Sequence, residues 1–334
     1  MPIETVDLVS SQAVTEREEV DSLPEIFWEN TKLRPRAGIE AAVRRIQWFF
    51  ADPRKVQSSR QSYKTYATVP WTVLPEPHRE RPPLPRYDEV VLGRRSAVLS
   101  GTGAVFAEEP VPLATLGDLL YYSYGVLRPE AARLPAPVQP AANGNGAAPE
   151  NDPVSPDVVA DQKARAFAAQ PTGPGGMRRR SAPSGGALFP LELYVVAVNV
   201  EGLTPGVYHY NTLGHHLEQL GKGTRAEVEE QVGRLLTAGL NYEGVAAVLV
   251  VTAVPLRTVF KYGDRGYRLL LVEAGHAAQN TYLAASALGV SVCAIAGFYD
   301  DEVNRALGVN GLDEFAAHVL VLGLPREAEE GAAP

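Results

Sequence analysis

Residues 261–280 read KYGDRGYRLLLVEAGHAAQN. A Lys-Tyr pair and two arginines crowd a loop punctuated by glycine, and the loop runs straight into an amphipathic helical pattern rich in small residues. The helix is expected over residues 266–288. Apolar runs at 245–253 and 290–298 flank it and read as strands. Working outward, further strands are expected at 191–200, 206–210 and 315–322, and helices at 225–238 and 300–307. GLTPGVYHYN followed by HHLEQL reads as a hairpin, with glycine-rich turns and period-two alternation. The alternation predicts an α+β protein with helices packed on a sheet, and no internal repeat is found.

Toward the N-terminus, helical spacing predicts helices over 37–50 and 113–124, the second stopped by Gly125. The proline-rich stretch 69–85 reads as an extended connector, because proline fixes φ and removes a donor. Residues 129–170 are dominated at first by Ala, Pro, Asn and Gly. They read as a disordered insertion, since such a segment buries too little apolar surface to offset its ordering entropy. The expected organisation is an N-terminal helical and extended segment, 1–85, making dimer or partner contacts, followed by one domain over 86–330.

The chain has 334 residues, 45% of them hydrophobic, enough for a sizeable core. A net charge of −8 excludes a nucleic-acid binder of the usual clustered basic kind. The lone Cys293 excludes an intrachain disulfide and any multi-cysteine metal site, and points to a reducing cytoplasm. No apolar run is long enough to span a membrane, and the polar, acidic start does not resemble a signal peptide.

Several short groups could carry chemistry. Arg94, Arg95 and Ser96 offer two guanidinium forks and a hydroxyl, a set suited to a phosphate monoester. Pro183-Ser184-Gly185-Gly186 precedes a strong strand, where glycines let backbone amides approach a planar ligand and Ser184 could donate to a carbonyl. Ala296-Gly297 ends a buried strand with small residues, and Asp300-Asp301 reads as the cap of the next helix. Glu273 and His276, spaced i,i+3, imitate half of a carboxylate-bridged metal site. No second Glu-x-x-His is present, so His276 reads as a hydrogen-bonded core histidine and no metal is expected. No phosphate loop, dinucleotide fingerprint or nucleophile elbow occurs in the required context.

In chain order, RRS, PSGGALFPLELYVV, PGVYHY, KYGDRGYR, EAGHAAQN and AIAGF resemble the nitroreductase-like flavoproteins. Within them they resemble the SagB-type dehydrogenases, which oxidise azolines in ribosomally made peptides. The resemblance covers residues 87–326. It implies an α+β nitroreductase-like FMN-binding fold with a mainly antiparallel sheet, assembled as a homodimer with FMN at the subunit interface. It implies that Arg94, Arg95 and Ser96 meet the phosphate and ribityl chain. Pro183, Ser184 and Gly185 would cover the flavin ring from the partner subunit, Ala296 and Gly297 would face flavin N5, and Arg326 would add a phosphate contact. Val98 stands where the family has a basic residue, so one phosphate contact is missing.

Lys261 and Tyr262 match the pair associated with azoline dehydrogenation. Aromatising a thiazoline or oxazoline removes a proton from one ring carbon and a hydride from its neighbour. Lys261 is therefore expected to act as the base, its pKa lowered by burial and by Arg265 and Arg268, with Tyr262 positioning the ring or relaying the proton. The resemblance further implies oxygen as electron acceptor, a peptide substrate and a cyclodehydratase partner. Two alternatives stay open: an NAD(P)H-dependent nitroreductase or flavin reductase acting on small molecules, and a non-catalytic flavoprotein or docking subunit.

Overall fold

The computed structural model describes residues 23–31, 37–53, 63–66, 68–77, 90, 105–127 and 179–326. Its elements are, in order, α1 (Leu23–Asn30), α2 (Ala37–Phe50), β1 (Trp71–Val73), α3 (Leu113–Tyr124), β2 (Leu191–Ala197), β3 (Gly206–Asn211), β4 (His216–Lys222), α4 (Arg225–Leu235), β5 (Ala247–Ala253), α5 (Leu256–Tyr262), α6 (Arg265–Leu288), β6 (Ser291–Ile295), α7 (Asp300–Leu307) and β7 (Phe315–Gly323). The seven strands form one sheet in the order β1-β4-β3-β2-β5-β7-β6. Every neighbouring pair is antiparallel. The expected α+β class with an antiparallel sheet is the one that forms.

Alternation along the strands sorts the core into two layers. On one face Leu191, Leu193, Val195, Leu249 and Val251 pack against α3 and α6. On the other, Val196, Val248, Val250, Val319 and Val321 pack against α4 and α7. β2 and β5 are buried along their whole length, as their apolar runs predict, with Glu192 of β2 a buried charge among them.

Several expectations are corrected in detail. Lys261 and Tyr262 do not lie in a loop: they are the last two residues of α5, and only Gly263 and Asp264 separate it from α6. The proline-rich stretch contains β1, which pairs with β4 through Trp71–Glu218, Thr72–Leu217 and Val73–His216. The strand expected over 290–298 is confined to Ser291–Ile295. Asp300 and Asp301 do not cap α7. Its N-cap is Tyr299, and both aspartates sit in the first turn, where their charge favours the helix dipole.

α4 has a complete capping box, Thr224 and Glu227 exchanging bonds between side chain and backbone. Residues 1–22 and the expected insertion at 129–170 lie outside the described residues. Among those described, no helix is long and apolar enough to cross a membrane.

Candidate active site at the β2–β5 end of the sheet

The antiparallel topology decides which motifs meet. β2 begins at the end of the sheet where β5 finishes, with Leu191 opposite Ala253. The 183–190 segment, which enters β2, therefore lies beside α5, which leaves β5. The two motifs are in contact: a Cβ added to Gly186 would meet the Tyr262 hydroxyl oxygen and come within 2.8 Å of Lys261 Nζ. At Gly185 the nearest side chain is Leu269 of α6. The backbone of the turn lies directly on the Lys-Tyr pair.

This turn is strained. Gly186, Ala187 and Phe189 all have positive φ (65°, 54° and 46°), and the last two carry a Cβ. A left-handed residue other than glycine costs roughly 1–2 kcal/mol, so the conformation persists only where anchors over-determine it. Two are evident. Ser184 Oγ accepts from the Phe189 N–H at 2.8 Å. Arg257 of α5 donates from Nη1 to the Phe189 carbonyl at 3.1 Å and from Nη2 to Glu192 at 2.6 Å. Ser184, expected to donate to a ligand carbonyl, accepts within the turn through its oxygen, and its hydroxyl also acts on Glu273.

Lys261 is only 7% exposed. Its ammonium nitrogen lies 5.1 Å from the ring centre of Phe49, 4.9 Å from Phe50 and 5.2 Å from Tyr262. Burial lowers its pKa from the ordinary lysine value; the three rings attract the cation and offset part of that effect. Among the described residues no carboxylate pairs with it. Arg265 and Arg268 play a different part from the one expected. They donate to the carbonyls of Thr31 and Trp28, and Arg268 stacks 3.6 Å from the Trp28 ring centre, so they tie α6 to α1. The Tyr262 hydroxyl is pushed up by burial and stays protonated.

Behind the turn lies a buried polar layer that sequence reasoning missed. His209 Nδ1 is 2.8 Å from Glu218 and its Nε2 is 3.3 Å from Glu192. Burial works against a charged imidazole, but the two carboxylates outweigh it and raise its pKa. Burial likewise pushes Glu192 up, and Arg257 with His209 outweighs that, holding its carboxyl at about 2. Glu218 also accepts from Thr65, the Tyr66 N–H and Asn211, which binds residues 63–66 to the sheet. The period-two pattern that marked 206–210 as a strand could have flagged His209 as inward-facing, yet its two partners come from other strands.

The other expected site residues fall in different places. Ala296 and Gly297 follow β6 at the same end of the sheet, but β6 stands three places from β2, roughly 14 Å at 4.8 Å per strand. Ala296 is exposed and Gly297 is half-buried against Thr237, whose hydroxyl donates to the Gly297 carbonyl. Arg326 follows the far end of β7, so within one chain it lies at the opposite end of the sheet from Gly185. Pro183 leads the turn. Arg94, Arg95, Ser96 and Val98 lie outside the described residues. Glu273 is buried on α6 while His276 is exposed, so His276 is not a core histidine: the helix's inward stripe runs through Leu270, Glu273, Ala274 and Ala277 and leaves His276 outside it.

A seven-stranded antiparallel sheet, covered on both faces, with a glycine turn set over a buried lysine and a half-buried tyrosine defines a class of protein that the family match identifies. The Nitroreductase family model matches residues 150–324, more than half of the chain, and the chain belongs to that family. Among its relatives is a provisionally named nitroreductase of Methanocaldococcus jannaschii, MJ1384, 37% identical over 134 residues, covering 39% of this chain and 64% of that one. The microcin B17-processing protein McbC of Escherichia coli is 32% identical over 139 residues, covering 40% and 50%. The trifolitoxin-processing protein TfxB of Rhizobium leguminosarum bv. trifolii is 32% identical over 114 residues, covering 34% and 31%. The matched part thus spans between about a third and two-thirds of these relatives' lengths.

Proposed function

We propose that the chain is an FMN-dependent dehydrogenase that oxidises azoline rings to azoles in a ribosomally made peptide. The observation that carries this reading is the packing of the 183–187 turn on Lys261 and Tyr262, with the lysine desolvated and no carboxylate among the described residues to neutralise it. Two relatives are named for processing peptides, microcin B17 and trifolitoxin, which supports a peptide substrate.

The residues suit a flat ring system such as a flavin. Gly185 and Gly186 present backbone without side chains, and Ala296 offers an exposed backbone position at the same end of the sheet. Ser184, turned inward, would hold the turn in shape; Arg94, Arg95 and Ser96 are the candidates for the phosphate. A cofactor touching both the 183–185 turn and Arg326 would need them from two copies of the chain, which favours a homodimer. Bound FMN would supply the hydride acceptor. Lys261 would take the proton from the azoline carbon, burial having lowered the amine's pKa from the ordinary lysine value toward that of a base. The Tyr262 hydroxyl beside it would orient the ring nitrogen or pass the proton outward. A cyclodehydratase that makes the azoline is the partner this chemistry calls for, and oxygen is the acceptor that would close the cycle.

The test is anaerobic mixing of the purified protein with an azoline peptide while flavin absorbance is followed. Bleaching by the peptide is expected. In Lys261→Ala it should slow by about 10²–10⁴, the range for loss of a general base, with FMN still bound. Undiminished bleaching in that variant removes Lys261 as the base. Bleaching by NADPH alone and never by the peptide would identify a small-molecule reductase instead, and a protein that binds no flavin would defeat both enzyme readings.

A further inference from the structure

Glu273 lies under the same turn from the other side. It is 2% exposed on the inward stripe of α6, among Leu270, Ala274 and Ala277, none of which has a side-chain donor to offer. One carboxyl oxygen, Oε1, accepts a short hydrogen bond from the Tyr124 hydroxyl of α3. The other, Oε2, is buried with no partner in good geometry. A buried acceptor left in this state calls for an explanation. The groups that act on it from the turn are the Ser184 hydroxyl and the Gly185 N–H, with the Arg180 guanidinium behind them. The turn is thus sandwiched: Glu273 lies within electrostatic reach of its Ser184–Gly185 side, and Lys261 and Tyr262 lie against Gly186.

We propose that Glu273 is a positioning residue whose ionised carboxylate draws the Ser184–Gly185 backbone down and so sets Gly186 against Lys261 and Tyr262. A proton on Glu273 releases that hold. Such an anchor adds to those at Phe189: Gly186, Ala187 and Phe189 all have positive φ, and conformations of this kind persist only where several contacts over-determine them.

Burial is the dominant influence on this carboxyl and pushes it up to about 7, against the pull of Ser184, Tyr124, Arg180 and Gly185. The surrounding groups do not titrate in that range. Tyr124 is held un-ionised by burial, Glu192 of β2, which faces Arg180, sits at about 2, and Arg257 of α5, which faces Tyr124, remains a cation. The hold on the turn therefore switches close to neutrality.

The importance of the hold for turnover rests on the functional reading above; the hold itself concerns this chain alone. It is tested by hydrogen–deuterium exchange of the full-length protein, comparing wild type with Glu273→Gln at matched pH so that the intrinsic pH dependence cancels. At pH 8 the segment 181–190 should exchange about ten- to a hundredfold faster in the variant, the factor that one or two charge-assisted hydrogen bonds carry. At pH 5.5 the two proteins should coincide. The same ratio at both pH values, or a change spread equally over β5 and β7, would overturn the proposal. Turnover of the azoline peptide separates the two ideas. If the segment behaves as expected but the peptide never reduces the flavin, the functional reading fails and the anchor stands. If the peptide is oxidised and Glu273→Gln alters neither kcat, KM nor the exchange of 181–190, the anchor fails and the functional reading stands.

Discussion

Gly186 is the residue on which the site turns. It has φ 65° and its α-hydrogen side faces Tyr262 and Lys261. Gly186→Ala should destabilise the protein by about 1–2 kcal/mol, the cost of a left-handed non-glycine residue. It should lower turnover more than that figure suggests, because the new methyl displaces Lys261 and Tyr262, the pair proposed to act on the substrate. Urea denaturation beside steady-state rates measures both, and an alanine variant with wild-type stability and rate would contradict the contact. At this scale the sequence brings out two motifs that the fold sets side by side, but not the contacts each one makes. The Pro-Ser-Gly-Gly and Lys-Tyr motifs were legible because polar groups beside glycine at element ends have few structural uses. The inward turn of Ser184 was not, since it depends on a bond to Phe189 set by backbone geometry. Glu273 shows in the sequence only as half of a metal-like spacing, because its partner Tyr124 lies 149 positions away and no local pattern announces that pairing.

At the scale of elements, α5 is the instructive case. Its seven residues include the β-branched Thr258 and Val259 and end in an aromatic, so propensity and length both argue against a helix. Tertiary bonds hold it instead: Arg257, one turn before Lys261, reaches Glu192 and the Phe189 carbonyl. Arg257→Met should cost about 3 kcal/mol, since it leaves Glu192 buried with one partner fewer. Adding Glu192→Gln should recover part of the loss by removing the stranded charge. A urea-unfolding double-mutant cycle showing strict additivity would count against this coupling. The long apolar runs of β2, β5 and β7 were plain in the sequence because buried strands need such runs. β1 was hidden because three residues among prolines carry no period, and only the exposed edge of β4 makes them a strand.

The molecule as a whole should show a stability maximum on the acid side of neutrality. Glu192 and Glu218 have folded pKa values below the ordinary 4.5, so their contribution is present above that value and is lost as pH falls through the folded ones. His209 is raised above 6.5, so its contribution is complete below 6.5 and is lost as pH rises through the raised value. Glu273, raised to about 7, contributes fully below 4.5 and loses that stabilisation as pH climbs through 7. Calorimetry should therefore find Tm highest near pH 4.5 and falling from there toward pH 8, first through Glu273 and above pH 6.5 through His209 as well. Glu273→Gln should flatten the alkaline slope by on the order of 2–3 kcal/mol; a Tm that rises steadily to pH 8 would refute the assignment.

The packing of α3 on α6, and of β1 on β4, bears on where this protein could be cut. Similarity to the family begins at residue 150, yet Tyr124, the apolar side of α3 and the β1 edge all lie before it, as do Phe49 and Phe50, two of the three rings around Lys261. A fragment beginning at 150 would bare the Ala-rich stripe of α6 to water and leave the Lys261 amine open to solvent. The recognisable stretch of sequence is thus smaller than the unit that folds, and an expression boundary drawn at residue 150 should yield aggregated protein.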